Sequence, residues 1–407
     1  MWITKGLIMT RHKDDHKKLF ALPAPLLDSK VAGLVLELET LRSRELSGTT
    51  PPWIFFGVKN LFHTVESVIS THIEGNNTTI AAYVEAARTN KKKINVDQKI
   101  KMILNLENAI KDIEKEVDTS TVFDKRFILD LHRKVVDGLD TSQDGEGDAR
   151  PGAFRNVHRE IQNSNHVLPQ HTDLRDLMDQ LVKFINAPVP HTMELIKIAI
   201  VHHRFVWIHP FGNGNGRVVR LLTYAMLARA GYIDKDGNRL LDPTAVFGSN
   251  KLTYYDKLSG ADNLSEEGAT AWCEYMLSGL TQEIHKIDQL LDGDFTKREI
   301  IIPAITYAHE KQKITKLERE MLLVCVDKNL VTASDFRDLF PASTSHVRIS
   351  QVINKLREQN LIMSTRPGAR KYMLCMNNNL LTTGILRKLD ENGFLPPIQP
   401  GVTNHTV

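Results

Sequence analysis

His209-Pro210-Phe211-Gly212-Asn213-Gly214-Asn215-Gly216-Arg217-Val218-Val219-Arg220 lies between two segments of helical periodicity, and its reading decides the rest of the chain. Glycines at 212, 214 and 216 free the backbone, so successive N–H groups can turn toward one point. The helix expected from Gly216 adds the positive end of its dipole, and turn and helix together form an anion site suited to phosphate. Arg217 and Arg220 stand one turn apart at the start of that helix, so both guanidinium groups can reach one polyphosphate as charge-assisted donors. His209 lies beside this site, and imidazole is the side chain whose pKa best suits taking a proton near neutral pH. A glycine-rich turn before a helix is common without any ligand; the histidine and both arginines at fixed spacing carry the functional reading.

Working outward, the periodicity predicts helices over residues 30–46, 54–74, 98–117, 123–139, 173–186, 193–207, 216–230 and 266–291. In the second of these Phe55, Val58, Leu61, Phe62, Val65, Ile69 and Ile73 share one face, and Gly75-Asn76-Asn77 stops the helix at Glu74. Residues 157–161 and 166–168 flank Gln162-Asn163-Ser164-Asn165, which predicts a short β-hairpin, here termed the flap. From 317 onward three short amphipathic helices (317–327, 333–339, 345–359) precede two apolar stretches, 361–363 and 372–374, around Arg366-Pro367-Gly368-Ala369-Arg370-Lys371. That order predicts a winged helix, with Arg348, Arg366, Arg370 and Lys371 as its candidate DNA contacts and a solvated charged hairpin as the plain alternative. The fold class expected is mainly α: a helical core with a short β-hairpin flap and a C-terminal winged helix-turn-helix module.

The chain has 407 residues, enough for two or three modules, with 42% hydrophobic and 25% charged residues, as in ordinary globular proteins. Its 52 basic and 49 acidic residues leave a net charge of +3, which excludes attraction to nucleic acid by bulk charge and leaves only a local basic patch. Cys273, Cys325 and Cys375 are odd in number and far apart, which fits neither a disulfide framework nor a thiolate zinc site. No run of 18 apolar residues occurs, so no membrane partner is expected and the chain reads as cytoplasmic. His202, His203 and Arg155 read as structural residues.

The 209–220 run resembles the Fic signature: a His, a Phe two positions on, an acidic residue, then Gly-Asn-Gly-Arg and a second Arg three residues later. The resemblance implies a protein adenylyltransferase in which His209 deprotonates a Ser, Thr or Tyr hydroxyl that attacks the α-phosphate of ATP. AMP would remain on the target and pyrophosphate would leave. Gly212, Asn213, Gly214, Asn215, Gly216, Arg217 and Arg220 would bind ATP, with Tyr254 and Tyr255 near adenine and Phe211 fixing the loop in the core. The flap, Ile161, Gln162, Asn163 and Ser164, would pair with an extended stretch of the target. Where the family usually carries Asp or Glu to hold the Mg²⁺ cofactor, this chain has Asn213 as the candidate ligand; its amide oxygen can still ligate magnesium but brings no charge.

Ser70-Thr71-His72-Ile73-Glu74-Gly75 resembles the family's inhibitory motif, placed upstream of the core. A carboxylate at a helix C-terminus is disfavoured by about 0.3–1 kcal/mol and calls for a cation; Arg220 is the expected partner of Glu74, with Ser70 in the same motif. In some family members this Glu also supports removal of AMP. The resulting division is 1–94 with the inhibitory helix at 54–75, a Fic core at 95–291, a winged helix at 292–395 and a tail at 396–407. Expected partners are ATP, a target protein that could be the chain itself, and duplex DNA through the winged helix; a homodimer is compatible with this. The rival is a DNA-binding regulator whose Fic core senses nucleotide or uses another nucleotide donor.

Overall fold

The computed structural model describes residues 18–43, 49–89, 97–142, 144–161, 164–233, 243–376 and 380–395. Gln162 and Asn163 of the flap and the expected tail lie outside these residues. The centre is formed by α7 (His191–Ile208) and α8 (Asn215–Arg229), which stand on either side of the glycine turn and are buried on nearly every face. Helices buried on nearly every face belong in the middle of a domain. Around them pack α1 (Lys30–Ser43), α4 (Gln98–Glu116), α5 (Lys125–Val136), α6 (Leu174–Asn186) and α11 (Glu266–Leu290). α5 and α6 each turn an apolar stripe inward, Ile128, Leu131 and Val135 on one and Leu174, Leu177 and Leu181 on the other. Side-chain caps start several of these helices: Asp97 accepts from the N–H groups of Lys99 and Ile100, Asp124 from Phe127 and Ser265 from Gly268.

The expected helix over 54–74 is α2 (Pro52–Ile73), with Glu74 as its C-cap and Gly75 at φ 96° ending it. Its apolar side chains divide between two cores. Ile73 belongs to the central one, whereas Ile54, Val58, Leu61, Phe62, Val65 and Ile69 share a second core with Ile301, Ile305, Phe336 and Leu386 of the C-terminal part. Gly57 marks the closest approach: a Cβ there would lie 2.7 Å from Cβ of Met376. That C-terminal part runs through a π-helical stretch (Thr296–Ile301) into α12 (Ile302–Glu310), then α13 (Lys316–Lys328), a 3-10 helix (Ala333–Leu339) and α14 (His346–Glu358). β1 (Ile362–Ser364) then pairs antiparallel with β2 (Tyr372–Leu374), Met363 opposite Met373. A bridge from Val331 to Tyr372 brings a third segment to this sheet, and α15 (Thr382–Glu391) closes the part.

Among the described residues, α3 (Ile80–Thr89), α9 (Pro243–Gly248), α10 (Lys251–Gly260), α12 and α15 were not anticipated, nor were the helical turn Gly293–Phe295 and the π-helical stretch. The flap differs in the other direction. Its described residues form no strand ladder, only a turn bond from the Ser164 N–H to the Ile161 carbonyl at 3.3 Å. Side chains hold its flanks instead: Arg155 donates to the carbonyls of Val157 and Pro169, and the His166 ring bonds the Trp207 carbonyl. An isolated hairpin is marginal in water, and these anchors supersede it. Among the described residues no helix is long and apolar enough to cross a membrane, and all three cysteines are free.

Candidate active site

α7 ends at His209, whose backbone turns left-handed at φ 50°, and Gly214 at φ 76° caps the start of α8. Between them the chain reverses over residues 210–214, and two devices lock the reversal. Asn215 folds back on the turn, accepting from the Phe211 N–H and donating to the Phe211 carbonyl, both at 2.9 Å. Phe211 is fully buried and stacks on His132 of α5 at 3.8 Å. Asn215 was expected among the nucleotide ligands; its side chain is consumed in holding the loop.

His209 is fixed on both backbone groups, its N–H donating to Phe205 and its carbonyl accepting from Arg155 Nε at 2.9 Å. The buried Nδ1 has no partner of hydrogen-bonding geometry among the described residues. Burial is the main cause that lowers the imidazole pKa to about 4; the nearby Val206 carbonyl and Glu74 only partly offset it, and Arg155 and His166 add to it. The ring is therefore neutral at pH 7, a lone pair available to accept a proton.

Arg217 and Arg220 are both buried at the start of α8, and each is met by a carboxylate. Glu74 Oε1 lies 2.8 Å from Arg220 Nη2; Ser70 accepts from Arg220 Nε at 2.8 Å through Oγ and from Nη2 at 2.9 Å through its carbonyl. The expected Glu74–Arg220 contact thus exists. Burial acts to raise the Glu74 pKa, but Arg220 and Arg217 outweigh it and leave the carboxyl below its ordinary value. Gly216 makes room for this pair, since a Cβ there would collide with the Glu74 carboxylate.

The second carboxylate comes from residues 144–148, which sequence reasoning passed over. This counter-loop docks on the glycine turn: the Gly145 carbonyl accepts from Asn213 Nδ2 at 3.0 Å, the Glu146 carbonyl from Arg217 Nη2 at 2.8 Å, and Asp148 Oδ2 from the Asn213 N–H at 3.0 Å. Glu146 Oε2 lies 3.0 Å from the same Arg217 nitrogen. Burial pushes the Asp148 carboxyl up, but hydrogen bonds from His132 and from the N–H groups of Arg150 and Asn213 outweigh it and hold it at about 2. The signal was present in Asp144-Gly145-Glu146-Gly147-Asp148, acids alternating with glycine. A cleft of about 190 Å³ opens beside the turn, lined by Ser142, Gly145, Asp148, Gly212 and Asn213 among others.

Asn213 does not suit the metal role considered for it. Its Oδ1 already accepts from the Gly214 N–H at 2.6 Å and from Arg217 Nη2 at 3.3 Å, and an amide brings no charge to a cation that favours carboxylate. Among the described residues no three His, Cys, Asp or Glu side chains stand together as metal ligands. Tyr254 is sealed in the core, where its hydroxyl and the Thr223 hydroxyl engage the two ring nitrogens of His202. Tyr255 stays partly open at the rim, its hydroxyl 3.4 Å from the Ile73 carbonyl beside Glu74. His203 bonds the Leu258 carbonyl. Ile161 and Ser164 lie on the partly open flap segment. Arg348, Arg366, Arg370 and Lys371 stand apart from this site, exposed on α14 and the β1–β2 hairpin.

Comparison with known proteins bears on this geometry. Residues 122–227, which hold the turn, His209 and both arginines, match the model of the Fic/DOC family. The chain is 29% identical over 211 residues, 50% of its length, to a protein adenylyltransferase Fic of Culex quinquefasciatus, of which it covers 37%. It is 32% identical over 179 residues to the protein of the same name from Drosophila ananassae, covering 32% of that relative. It therefore spans about a third of the length of these relatives. In fold it is similar to a Fic family protein from Desulfovibrio desulfuricans G20, with TM-score 0.51 and 19% identity over 87% of this chain and 98% of the other. A Fic domain containing signaling protein from Bacteroides thetaiotaomicron gives TM-score 0.50 and 18% identity over 65% of this chain and 97% of the other. The turn, His209 and both arginines thus lie inside the segment that matches the Fic/DOC family model, and the helical fold is shared with these solved structures.

Proposed function

We propose that the protein moves AMP from ATP onto a Ser, Thr or Tyr hydroxyl of a target protein, and that Glu74 holds it inactive at rest. The observation that carries this is the neutral, buried His209 imidazole next to a helix N-terminus bearing Arg217 and Arg220. In this reading the target hydroxyl gives its proton to His209 as its oxygen bonds the α-phosphorus. The bond from the α-phosphorus to the oxygen bridging to the β-phosphate breaks, and pyrophosphate leaves. The N–H groups at the start of α8 and the two guanidinium groups take up the negative charge of the phosphates. Glu74 opposes this by occupying Arg220, so the γ-phosphate lacks its clamp. The catalytic unit would span 95–291, between an N-terminal segment carrying the inhibitory helix and a C-terminal module. The names of the relatives favour the adenylyl group as the one transferred.

The test is incorporation of α-phosphate-labelled ATP into the protein and into cell lysate. Label in Glu74→Gly that is weak in the wild type and lost in Glu74→Gly with His209→Ala is expected. Absence of label in all three would sink AMP transfer as the main activity.

A second reading concerns the C-terminal part, and we infer that it binds duplex DNA as a winged helix. In its favour are the order of α13, 3-10 helix, α14 and hairpin with the Val331–Tyr372 bridge, and the exposure of Arg348, Arg366, Arg370 and Lys371. Duplex binding that weakens steeply with salt, and whose salt slope falls in Arg366→Ala/Arg370→Ala, is the expected result; no binding at low salt would end this reading.

A further inference from the structure

Arg217 is a buried cation in a motif that has lost its own acid. Where the resemblance leads one to expect Asp or Glu, Asn213 offers Arg217 only an amide oxygen, at 3.3 Å. A buried guanidinium without an anion is costly, and the anion arrives from a segment about seventy residues earlier in the chain, as Glu146 Oε2 at 3.0 Å. Arg217 Nε, also buried, has no acceptor among the described residues, so the guanidinium is incompletely satisfied.

The two arginines of the turn are held differently. Arg220 is gripped by Ser70 and Glu74 through three hydrogen bonds. The Glu146 carboxylate is looser: its side chain is 40% exposed, against 27% for Glu74. Burial and the neighbouring Glu74 charge push the Glu146 pKa up although Arg217 pulls it down, so this anion sits where anions repel one another. An incoming phosphate could displace it while the Glu146 carbonyl still steers Arg217 at 2.8 Å.

We propose that Glu146 is a second, displaceable counter-ion over the phosphate site: it stands in on Arg217 for the phosphate, supplying the charge lost from the motif at Asn213, and so lowers resting nucleotide affinity independently of Glu74. This rests on the assignment of Arg217 and Arg220 to phosphate. It predicts that removing Glu74 alone leaves half of the site neutralised, and that full affinity needs both carboxylates gone.

The experiment is calorimetric titration of inorganic tripolyphosphate, and of a non-hydrolysable ATP analogue, into the full chain as wild type, Glu146→Gln, Glu74→Gln and the double variant. A thermal melt of each shows that it is folded. Glu146→Gln should bind roughly three- to tenfold more tightly than wild type, as expected for loss of a half-exposed ion pair competing with the ligand, and the double variant more tightly than either single one. In an Asn213→Asp background, where the acid is back in the motif, the gain from Glu146→Gln should shrink. Unchanged or weaker binding in Glu146→Gln, with tighter binding in Glu74→Gln, overturns the proposal and leaves the phosphate site standing. No binding by any variant, Glu74→Gln included, would remove the phosphate assignment itself.

Discussion

His209 holds a left-handed backbone that non-glycine residues adopt only under constraint, and Arg155 supplies much of that constraint. The buried guanidinium bonds the carbonyls of His209, Val157 and Pro169, so one side chain ties the expected base to the flap. Arg155→Ala should cost stability by about 1.5–3 kcal/mol or more, the worth of one charge-assisted bond. Label transfer should fall further than nucleotide affinity does, a split that single-turnover kinetics and titration would resolve. The histidine's pKa of about 4 also has two consequences. In Glu74→Gly, which also removes a charge that raises this pKa, the pH profile of kcat/KM should be level from about 6 to 8; a rise through about 6.5 would mean an ordinary exposed imidazole. For folding, the neutral buried ring binds fewer protons than the unfolded one below about pH 6.5, so its share of stability is full above that value and declines as pH falls toward 4. An acid denaturation series compared with His209→Gln would show it.

At the level of elements, the Arg220 contact divides its strength between two residues of α2's last turn. Ser70→Ala removes one neutral acceptor, worth about 0.5–1.5 kcal/mol, and leaves Glu74 and the Ser70 carbonyl in place. Partial release is expected: more label than wild type, less than Glu74→Gly. At the other end of α2 the Gly57–Met376 approach allows no side chain, and Gly57→Val should cost about 1–3 kcal/mol by overpacking, with Met376→Ala recovering part of it in a thermal melt. The elements also show what patterning reveals. α4, α5 and α6 were legible because each sets an apolar stripe against a polar face. α9 was not: Pro243, Thr244, Ala245, Val246 and Phe247 are all buried, so this six-residue helix has no alternation to read. The flap was misread because propensity carries no knowledge of Arg155 and His166, whose bonds to distant carbonyls replace a ladder.

For the molecule as a whole, the same division explains which parts of the site could be read. The turn from His209 to Arg220 is contiguous, and its spacing alone pointed to base, anion turn and paired cations. The Glu74 pairing was legible from a second motif. Glu146, Asp148 and His132 were not, because they act only through contacts that folding creates across about 65 to 80 residues of chain. Packing also joins what the linear division separated. The expected division puts α2 in an N-terminal segment, 1–94, apart from the module beyond residue 291, yet most of its apolar side chains share a core with residues of that module.

This shared core has a consequence for how the protein is born. A ribosome delivers the chain from the N-terminus at about 5–20 residues per second, so the last residues of the core around Ile54, Val58 and Phe62 follow the glycine turn by about 9–35 seconds. During that interval the glycine turn and Glu74 already exist, while the far half of the helix carrying Glu74 still lacks its cover. If Glu74 restrains the site as proposed, that restraint gains its full support only once the C-terminal part has been made, and nucleotide marks placed by a molecule still nascent would record the gap.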